Sequence, residues 1–378
     1  MNAARAELAA QPAGSGDLVD SVGVSVYRIP TDAPESDGTL EWDSTTMVIV
    51  EVHAGDVCGI GYSYTAAAAA PLIRDMLAPL VVGRDPFNIP AIWMSMVHAI
   101  RNLGRPGICS TAIAAVDVAL WDLKSKRVGL PLVRLLGGAR AAVPIYGSGG
   151  FTSYSEHQLR DQLGGWAAAG LTMVKMKVGR DATADPVRVA QARDAIGPDV
   201  ALFVDANGGY SRKEALALAA SFADLGVTWF EEPVSSDDLA GLKLIRDRAP
   251  GGMAIAAGEY GYDLPYFERM LEAGAVDVLQ ADATRAAGIT GFLSVEPLCA
   301  ARSLDLSAHC GPSIHLHPGC ALPRVRHLEY FHDHVRIEHL FFDGAVEPVD
   351  GRLAPDLSRS GLGLEFRRAD AEAYRLDA

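Results

Sequence analysis

Residues 201–207 read ALFVDAN, a short apolar run that ends on an acidic residue, and runs of this kind recur through the second half of the chain. Residues 173–178 read MVKMKV, and residues 228–232 read TWFEE. Short runs rich in apolar, β-branched and aromatic residues are typical of buried strands. The strands predicted in this way are 173–178, 201–204, 228–230, 254–257, 276–280 and 304–308.

Helix candidates follow most of these strands. One of them begins at Ser211 and has Glu214 three residues later, which is the capping-box pattern ahead of an Ala/Leu-rich run. Strands that alternate with helices indicate a parallel sheet. Six or more such units favour a closed β/α barrel over an open sheet. We therefore predict an α/β fold with a barrel over residues 141–335.

The first third of the chain has a different pattern and predicts a capping domain over residues 21–140. Its strands are predicted at 22–29 and 45–52, and its helices at 66–80, 92–103 and 111–127. Residues 30–43, rich in Pro, Asp, Gly and Ser, predict a mobile loop that orders over bound substrate. Residues 59–70 predict a second loop that sets specificity. We expect residues 1–20 to be disordered and residues 336–378 to return to the capping domain.

Composition restricts the class of protein. The chain has 378 residues and a net charge of -14, which argues against a nucleic-acid groove because such a groove needs a basic face. No apolar run reaches the length of about 18 residues that a membrane span needs. The five cysteines include no Cys-x-x-Cys pair, as in a cytoplasmic protein with reduced thiols. We expect a homo-oligomer that binds a small-molecule carboxylate, with no nucleic-acid or membrane partner.

A polar residue stands at or just beyond the end of each barrel strand. Successive members are 28, 26, 28, 23, 27 and 20 residues apart, and each gap is about one strand–helix unit. The carboxyl ends of barrel strands converge on one mouth, where active sites form. The spacing therefore predicts one site built from Lys177, Asp205, Glu231, Glu259, Asp282, His309 and Glu329.

Three carboxylates from consecutive strands predict a metal site. Asp205, Glu231 and Glu259 cannot all remain ionised in a partly dry site without a cation. A set of oxygen ligands favours Mg2+ over Zn2+, which prefers nitrogen and sulfur. Glu232 is an alternative to Glu231, because strand alternation aims only one of the two at the mouth and the spacing does not decide which.

Two further pairs suggest acid–base chemistry. Lys175 and Lys177 lie two apart on one strand and therefore point to the same side. Burial, mutual repulsion and a nearby dication should lower a lysine pKa, and a neutral amine can act as a base. Asp282 and His309 end adjacent strands, where a carboxylate can orient a histidine and raise its basicity. His315 and His317 are predicted to be loop residues rather than metal ligands.

These motifs in this order resemble the mandelate racemase subgroup of the enolase superfamily. The matching stretches are Lys175-Met-Lys177, VDANGGY around Asp205, FEEP around Glu231, AAGE ending at Glu259, the Asp282/His309 pair and HLEYF around Glu329. Residues 111–138 also resemble the segment that precedes the barrel in that superfamily. The resemblance covers nearly the whole chain beyond residue 20.

The resemblance implies a (β/α)7β TIM-like barrel with an α+β capping domain. It implies Mg2+ held by Asp205, Glu231 and Glu259. It also implies that Lys177 and His309 face each other across the substrate. Three roles follow for other residues: Asp282 orients His309, Glu329 hydrogen-bonds the substrate carboxylate and stabilises the enediolate, and Asn207 and Ser148 help bind metal-bound water or substrate. On electrostatic grounds we expect Lys175 and Mg2+ to supply the main positive charge that stabilises the enediolate.

The expected reaction begins with removal of the proton next to a carboxylate. Dehydration of a sugar acid to a 2-keto-3-deoxy acid is the activity that we favour, with His309 assisting the leaving hydroxide. Racemisation or epimerisation of a 2-hydroxy acid would use the same residues. A non-catalytic protein that binds a sugar acid is the third interpretation, and the intact acid–base and metal-ligand set argues against it.

Overall fold

The computed structural model describes residues 18–376 of the chain. Residues 1–17, which make up most of the segment expected to be disordered, lie outside the described residues. Residues 18–20 are ordered, contrary to that expectation. The Val19 amide donates to the Arg84 carbonyl at 2.9 Å, and the Gly83 amide donates to the Val19 carbonyl at 2.8 Å.

An antiparallel sheet forms the first layer of the cap. Its strands are β1 (Ser21–Ser36), β2 (Glu41–Ala54) and β3 (Val57–Tyr64), in that order. The two strands predicted here lie inside β1 and β2.

The segment 30–43, expected to be a mobile loop, is mostly a β-hairpin. β1 pairs with β2 as far as Pro30 with Ser44, and the pairing resumes at Glu35 with Trp42 after a register shift. The Asp37 carboxylate closes the tip by accepting the amides of residues 39 and 40 at 2.6 and 2.7 Å. The Pro, Asp, Gly and Ser content therefore reflects the irregular pairing and the turn of this hairpin.

Strand β3 occupies part of a stretch that we expected to be loop. Two glycines hold it against the central cap helix. A Cβ on Gly59 would lie 2.2 Å from the Ala119 carbonyl oxygen, and one on Gly61 would lie 2.3 Å from that of Ala115. The glycines that suggest a loop in the sequence are needed here for close packing of a strand on a helix.

Helices cover this sheet. They are α1, continuous over 69–81 with a π-helical turn at Ile73–Leu77, α2 (Ile89–Ala99), α3 (Ile108–Arg127) and α4 (Leu132–Leu136). Apolar residues of β1, β2 and the cap helices form a core of their own. Within residues 18–376, no helix is both long and apolar enough to span a membrane.

The barrel predicted from the alternation is present and has eight parallel strands. They are β4 (Val143–Gly149), β5 (Met173–Lys177), β6 (Ala201–Asp205), β7 (Val227–Glu231), β8 (Ala254–Ala257), β9 (Val278–Ala281), β10 (Asp305–Ala308) and β11 (Val325–Phe331). Each of the six predicted strands matches one of them to within two residues at either end. β11 pairs with β4 and closes the barrel.

A helix follows every barrel strand. These helices are α5 (Glu156–Ala168), α6 (Asp185–Ile196), α7 (Arg212–Asp224), α8 (Leu239–Arg246), α9 (Leu264–Glu272), α10 (Ile289–Ala301), α11 (Pro312–Ala321) and α12 (His332–Phe341). The predicted capping box starts α7, because the Ser211 hydroxyl accepts the Glu214 amide and the Glu214 carboxylate accepts the Ser211 amide.

The segment after α12 contacts the cap. It contains the short elements β12 (Phe342–Asp343), β13 (Arg352–Leu353), β14 (Glu365–Phe366), α13 (Arg368–Ala371) and a 3-10 turn at Glu372–Tyr374. The rings of Phe341 and Phe366 pack edge-on against Tyr27 of β1, with centroids 5.2 and 5.8 Å apart. The Leu376 amide donates to the Val26 carbonyl at 2.9 Å.

Candidate active site

The barrel register places the polar strand ends in one row at the mouth. Lys177 of β5 pairs with Asp205 of β6, and Asp205 pairs with Glu231 of β7. Ser148 of β4 pairs with Lys175 one layer deeper. The residues that the sequence spacing grouped together are therefore neighbours, and all of them are buried.

Lys175 lies at the centre of the carboxylates. Its Nζ is 2.8 Å from both oxygens of Glu231, 2.8 Å from Glu329 Oε1 and 3.5 Å from Asp205 Oδ2. Burial opposes its charge, but Glu231 and Glu329 outweigh burial and hold the Lys175 pKa well above its usual value. The lowering that we expected is therefore not found with the residues of this chain alone.

Lys177 stands nearer the opening, with 5% of its surface exposed. Its Nζ lies 2.5 Å from Asp205 Oδ2. Burial and the neighbouring Lys175 both act to lower its pKa, as predicted, but Asp205, Glu259 and Glu329 together outweigh them and the pKa is raised. Any role for Lys177 as a base therefore depends on removing the influence of Asp205.

The three acids expected to bind metal converge. Asp205, Glu231 and Glu259 each place a carboxylate oxygen within 4.8 Å of the others. Glu259 Oε2 is buried and has no hydrogen-bond partner, and the same is true of the side-chain oxygen of Asn207. Orphaned buried oxygens among converging carboxylates fit a hard divalent cation, which would supply the missing partner.

The choice between Glu231 and Glu232 is made by the backbone. Glu231 ends β7 with its side chain on Lys175, and the Trp229 indole donates to it at 3.0 Å. Glu232 has a φ of 37° and leaves the strand. Its side chain is also buried, and burial together with Glu259 and Asp205 raises its pKa well above the usual range. Glu231 is therefore the member of the converging triad.

Asp282 and His309 form the expected pair. Asp282 Oδ2 lies 2.9 Å from His309 Nδ1, which leaves Nε2 directed at the site, 3.3 Å from Glu259 Oε2. Burial opposes the charged histidine, but Cys310 and Glu259 raise its pKa well above the usual value. Burial also acts to raise the Asp282 pKa, yet the hydrogen bond to His309 lowers it to about 2. The pair is therefore an imidazolium oriented by a carboxylate.

Glu329 lies in β11 and is the second carboxylate that contacts Lys175 at 2.8 Å. Its Oε1 accepts the Ser148 hydroxyl at 2.6 Å, and its Oε2 accepts the Cys310 amide at 3.0 Å. Burial alone would raise its pKa, but Lys175 and His309 hold it below the usual range. Ser148 and Glu329, both expected at the site, are thus joined directly.

His315 and His317 are helix residues, not the loop residues that we expected. Both lie in α11 and are buried. His315 Nε2 accepts the Ala283 amide at 2.8 Å, and His317 Nδ1 accepts the Val133 amide at 3.1 Å. Two prolines and a glycine in α11 hide its helical character in the sequence. These histidines support the structure by satisfying buried backbone groups.

The tip of the β1–β2 hairpin covers the mouth. A Cβ on Gly38 would lie 2.3 Å from the Ala206 carbonyl oxygen and 2.9 Å from that of Val178. Ser36 and Thr152 share a hydroxyl hydrogen bond of 2.6 Å. Beneath the hairpin, the wall around Cys310 is aromatic and is formed by Phe151, Tyr154, Phe331 and the partly buried Trp42.

Sequence reasoning missed two residues of the site. Arg285 lies three residues after Asp282, and its Nη1 is 3.0 Å from Glu259 Oε1. Cys310 follows His309 directly, with its Sγ 3.2 Å from His309 Nε2. Their positions next to strand-end residues were the available signal, but neither one falls at a strand end itself.

Two family profiles match the chain. The profile described as Enolase C-terminal domain-like matches residues 158–371. The profile for the mandelate racemase/muconate lactonizing enzyme N-terminal domain matches residues 26–137. The matches cover the barrel and the cap separately.

Solved and curated proteins resemble the chain over most of its length. A mandelate racemase/muconate lactonizing enzyme-like protein from Rubrobacter xylanophilus is 53% identical, with a TM-score of 0.93 over 95% of this chain and 100% of that one. The 3,6-anhydro-alpha-L-galactonate cycloisomerase of Streptomyces coelicolor is 32% identical over 93% of this chain and 98% of that protein.

A dehydratase is similar to a comparable degree. The L-talarate/galactarate dehydratase of Salmonella typhimurium is 31% identical over 93% of this chain and 90% of its own length. Its structure with Mg and L-lyxarohydroxamate matches with a TM-score of 0.88 and 29% identity, over 97% of this chain and 95% of that one.

Proposed function

Because this chain belongs to the mandelate racemase/muconate lactonizing enzyme family of the enolase superfamily, we propose that it removes the proton next to the carboxylate of a sugar acid and then eliminates water. The product is a 2-keto-3-deoxy acid. The observation that carries the proposal is that two acid–base groups border three converging carboxylates, Lys177 at Asp205 and His309 at Glu259.

The oxygen-only triad of Asp205, Glu231 and Glu259 is the proposed Mg2+ site. The orphaned oxygen of Glu259 supports this assignment, and so does the Mg in the Salmonella dehydratase structure. Bound Mg2+ would act as a Lewis acid on the substrate carboxylate and would draw the Asp205 charge away from Lys177.

The protein's own groups carry the protons. Neutral Lys177 takes the α-proton through Nζ, and the resulting enediolate is stabilised by the ammonium of Lys175. His309, charged and held by Asp282, gives its proton to the departing β-hydroxyl, which leaves as water. The enol product then takes up a proton and becomes the ketone.

The residues beside the β1–β2 hairpin favour a substrate whose far end, away from the reacting carboxylate, is uncharged. The Trp42 indole donates to Glu35 Oε2 at 2.7 Å, while Oε1 of this buried carboxyl has no partner. Arg336, the nearby cation, is already bonded to Asp333 and to the Pro30 carbonyl. We therefore propose that hydroxyl-bearing aldonates are preferred to aldarates: a second carboxylate would lie beside the Glu35 carboxyl, and Arg336, whose Nε is without a partner, already has its charge paired with Asp333.

A paired substrate library tests the proposal. Each aldonate is incubated with the protein and Mg2+ beside the aldarate of the same configuration, and 2-keto acids are detected. We expect turnover of at least one aldonate, at a higher kcat/KM than its aldarate. Asp205→Asn should abolish turnover and weaken Mg2+ binding by calorimetry, whereas Asp305→Asn, at the opposite end of a barrel strand, should bind Mg2+ normally.

The outcomes separate the parts of the proposal. A higher kcat/KM for aldarates than for aldonates would contradict only the proposed preference for an uncharged substrate end. Unchanged Mg2+ affinity in Asp205→Asn would contradict the metal site. Inverted α-carbon configuration with no keto product would replace dehydration by racemisation or epimerisation.

A further inference from the structure

A cysteine with no role in the proposed reaction lies beside the acid–base histidine. Cys310 is 4% exposed, and its Sγ lies 3.2 Å from His309 Nε2 and 3.6 Å from Glu329 Oε2. His309 Nε2 and Glu329 Oε2 are 3.8 Å apart. One sulfur, one nitrogen and one oxygen therefore face a common point in a buried site.

We propose that His309, Cys310 and Glu329 form a second metal site, selective for a thiophilic dication such as Zn2+ or Cd2+, and that its occupation inhibits the enzyme. Zn2+ takes ligands at about 2.0–2.3 Å in a tetrahedron, which puts neighbouring ligand atoms about 3.4–3.6 Å apart. The three observed separations lie within about 0.5 Å of that value.

A further carboxylate borders the three ligands. Glu259 Oε2, buried and without a hydrogen bond, lies 3.3 Å from His309 Nε2. Three protein ligands leave one position of the Zn2+ tetrahedron open, as in sites that keep a position for water or another ligand.

The supporting contacts also suit a metal ligand. Asp282 holds His309 through Nδ1, so Nε2 is the nitrogen that would bind the metal on losing its proton, as in carboxylate–histidine–zinc arrangements. Cys310 has a φ of 49°, in the left-handed region, and its amide is bonded to Glu329 Oε2. The backbone is thus fixed with the thiol directed toward the histidine.

The two metal sites differ in selectivity. The oxygen-only triad suits Mg2+, whereas a set containing sulfur and imidazole suits Zn2+ or Cd2+ and is poor for Mg2+. Occupation of the second site would take His309 and Glu329 away from the substrate and would compete for Glu259. The inhibitory consequence rests on the proposed function, but the binding itself does not.

Cadmium titration of the full-length, metal-free protein tests the binding. Thiolate ligation to Cd2+ produces an ultraviolet charge-transfer band. The titration uses a Cys58→Ser background for every protein, because Cys58 lies in another cluster of possible ligands with Glu51 and His53. We expect one equivalent of the band in that background and after adding Cys299→Ser, a control at another buried free cysteine.

Cys310→Ser and Cys310→Ala should lack the band and bind Cd2+ at least 10-fold more weakly. His309→Asn, which removes a ligand, should weaken Cd2+ binding by at least 10-fold as well. Two results would overturn the site: no band in the Cys58→Ser background, or an unchanged band and affinity in both Cys310 variants. Circular dichroism confirms that each variant is folded.

A second experiment measures inhibition by adding Zn2+ to Mg2+-dependent turnover. The Zn2+ concentration that halves each protein's own rate should be at least 10-fold higher for Cys310→Ser than for the wild type. An equal sensitivity of Cys310→Ser and the wild type would overturn the inhibitory role. The Cd2+–thiolate band is measured without substrate turnover. The binding test therefore remains valid even if the proposed dehydration is wrong.

Discussion

Lys175 illustrates how a charge can be stabilised inside a barrel. It is fully buried, and its Nζ meets carboxylates from β7 and β11 at 2.8 Å. A buried ammonium without partners would be costly, and removing one partner of such a pair leaves an uncompensated charge. Lys175 and its carboxylates therefore act as one unit.

The acid–base assignment gives a prediction from isotope exchange. If Lys177 takes the α-proton, Lys177→Met should lose both dehydration and exchange of that proton with deuterated water. His309→Asn should block dehydration yet keep exchange, because Lys177 still makes the enediolate. Mass spectrometry and NMR of recovered substrate measure both rates. Losses of about 100- to 10,000-fold are expected for general acid–base groups.

The reversed pattern, with exchange lost in His309→Asn and kept in Lys177→Met, would make His309 the base. Turnover close to wild type in both variants would remove the two groups from the mechanism. Ser307→Ala, at a buried hydroxyl of β10 that contacts His327 instead, serves as a control and should keep both activities.

Among the elements, the β1–β2 hairpin approaches the barrel mouth closely at a glycine, Gly38. Gly38 sits on the carbonyls that follow Lys177 and Asp205, and an added Cβ would overlap backbone atoms. The hairpin is joined to the β4–α5 connection through Ser36 and Thr152. Its tip can therefore close the mouth only while residue 38 lacks a side chain.

Gly38→Ala should lift the tip from the mouth. We expect a fall in kcat/KM of roughly 10-fold or more, since loss of a cover exposes the site to water, with a Tm change of only a few degrees. Limited proteolysis should cut residues 30–43 faster, and substrate with Mg2+ should protect the wild type better than the variant.

Gly23→Ala, in strand β1 of the same hairpin, is the matched control, because a Cβ there meets its nearest neighbour at an ordinary 3.9 Å. Wild-type cleavage and kinetics in Gly38→Ala would argue against a covering role for the hairpin.

For the whole molecule, the docking of cap on barrel is the feature that builds the site. Asp117 of the cap helix α3 accepts the amide and the hydroxyl of Thr290, at the start of α10, at 2.9 and 2.6 Å. The Trp121 indole donates to the same hydroxyl at 2.9 Å. These contacts hold the end of segment 283–290, which connects Asp282 to helix α10.

Asp117 predicts a pH dependence of stability. Burial raises its pKa to about 7, whereas an unfolded aspartate has a pKa of about 4. Between these values the folded protein keeps the proton and the unfolded chain has lost it, so the Asp117 contribution to stability falls as pH rises from about 4 to 7. Asp117→Asn should remove this slope.

Urea unfolding at pH 5 and pH 8 measures the effect. Asp117→Asn should be destabilising by roughly 1–3 kcal/mol at pH 5 and by less at pH 8. Thr290→Val keeps the carboxyl and removes a hydrogen bond that lowers its pKa, so stability should still fall with rising pH in this variant. The same destabilisation of Asp117→Asn at both pH values would rule out titration of Asp117 in this range.

The sequence by itself determined the alternation, the barrel and the set of strand-end residues, including Lys177, Asp205 and His309. These features are local: an apolar run of strand length specifies a buried strand, and the fixed polarity of parallel strands brings their last residues together. The family resemblance followed from the same motifs.

The tertiary structure alone decided the details that depend on contacts distant in sequence. The turn at Glu232 selects Glu231, close packing on α3 makes β3 a strand, and the barrel mouth makes 30–43 a covering hairpin rather than a free loop. The charge state of Lys175 and the placement of Cys310 beside His309 and Glu329 likewise arise from neighbours on other strands. Short-range patterns carry no information about such neighbours, because their energies exist only once the elements have packed.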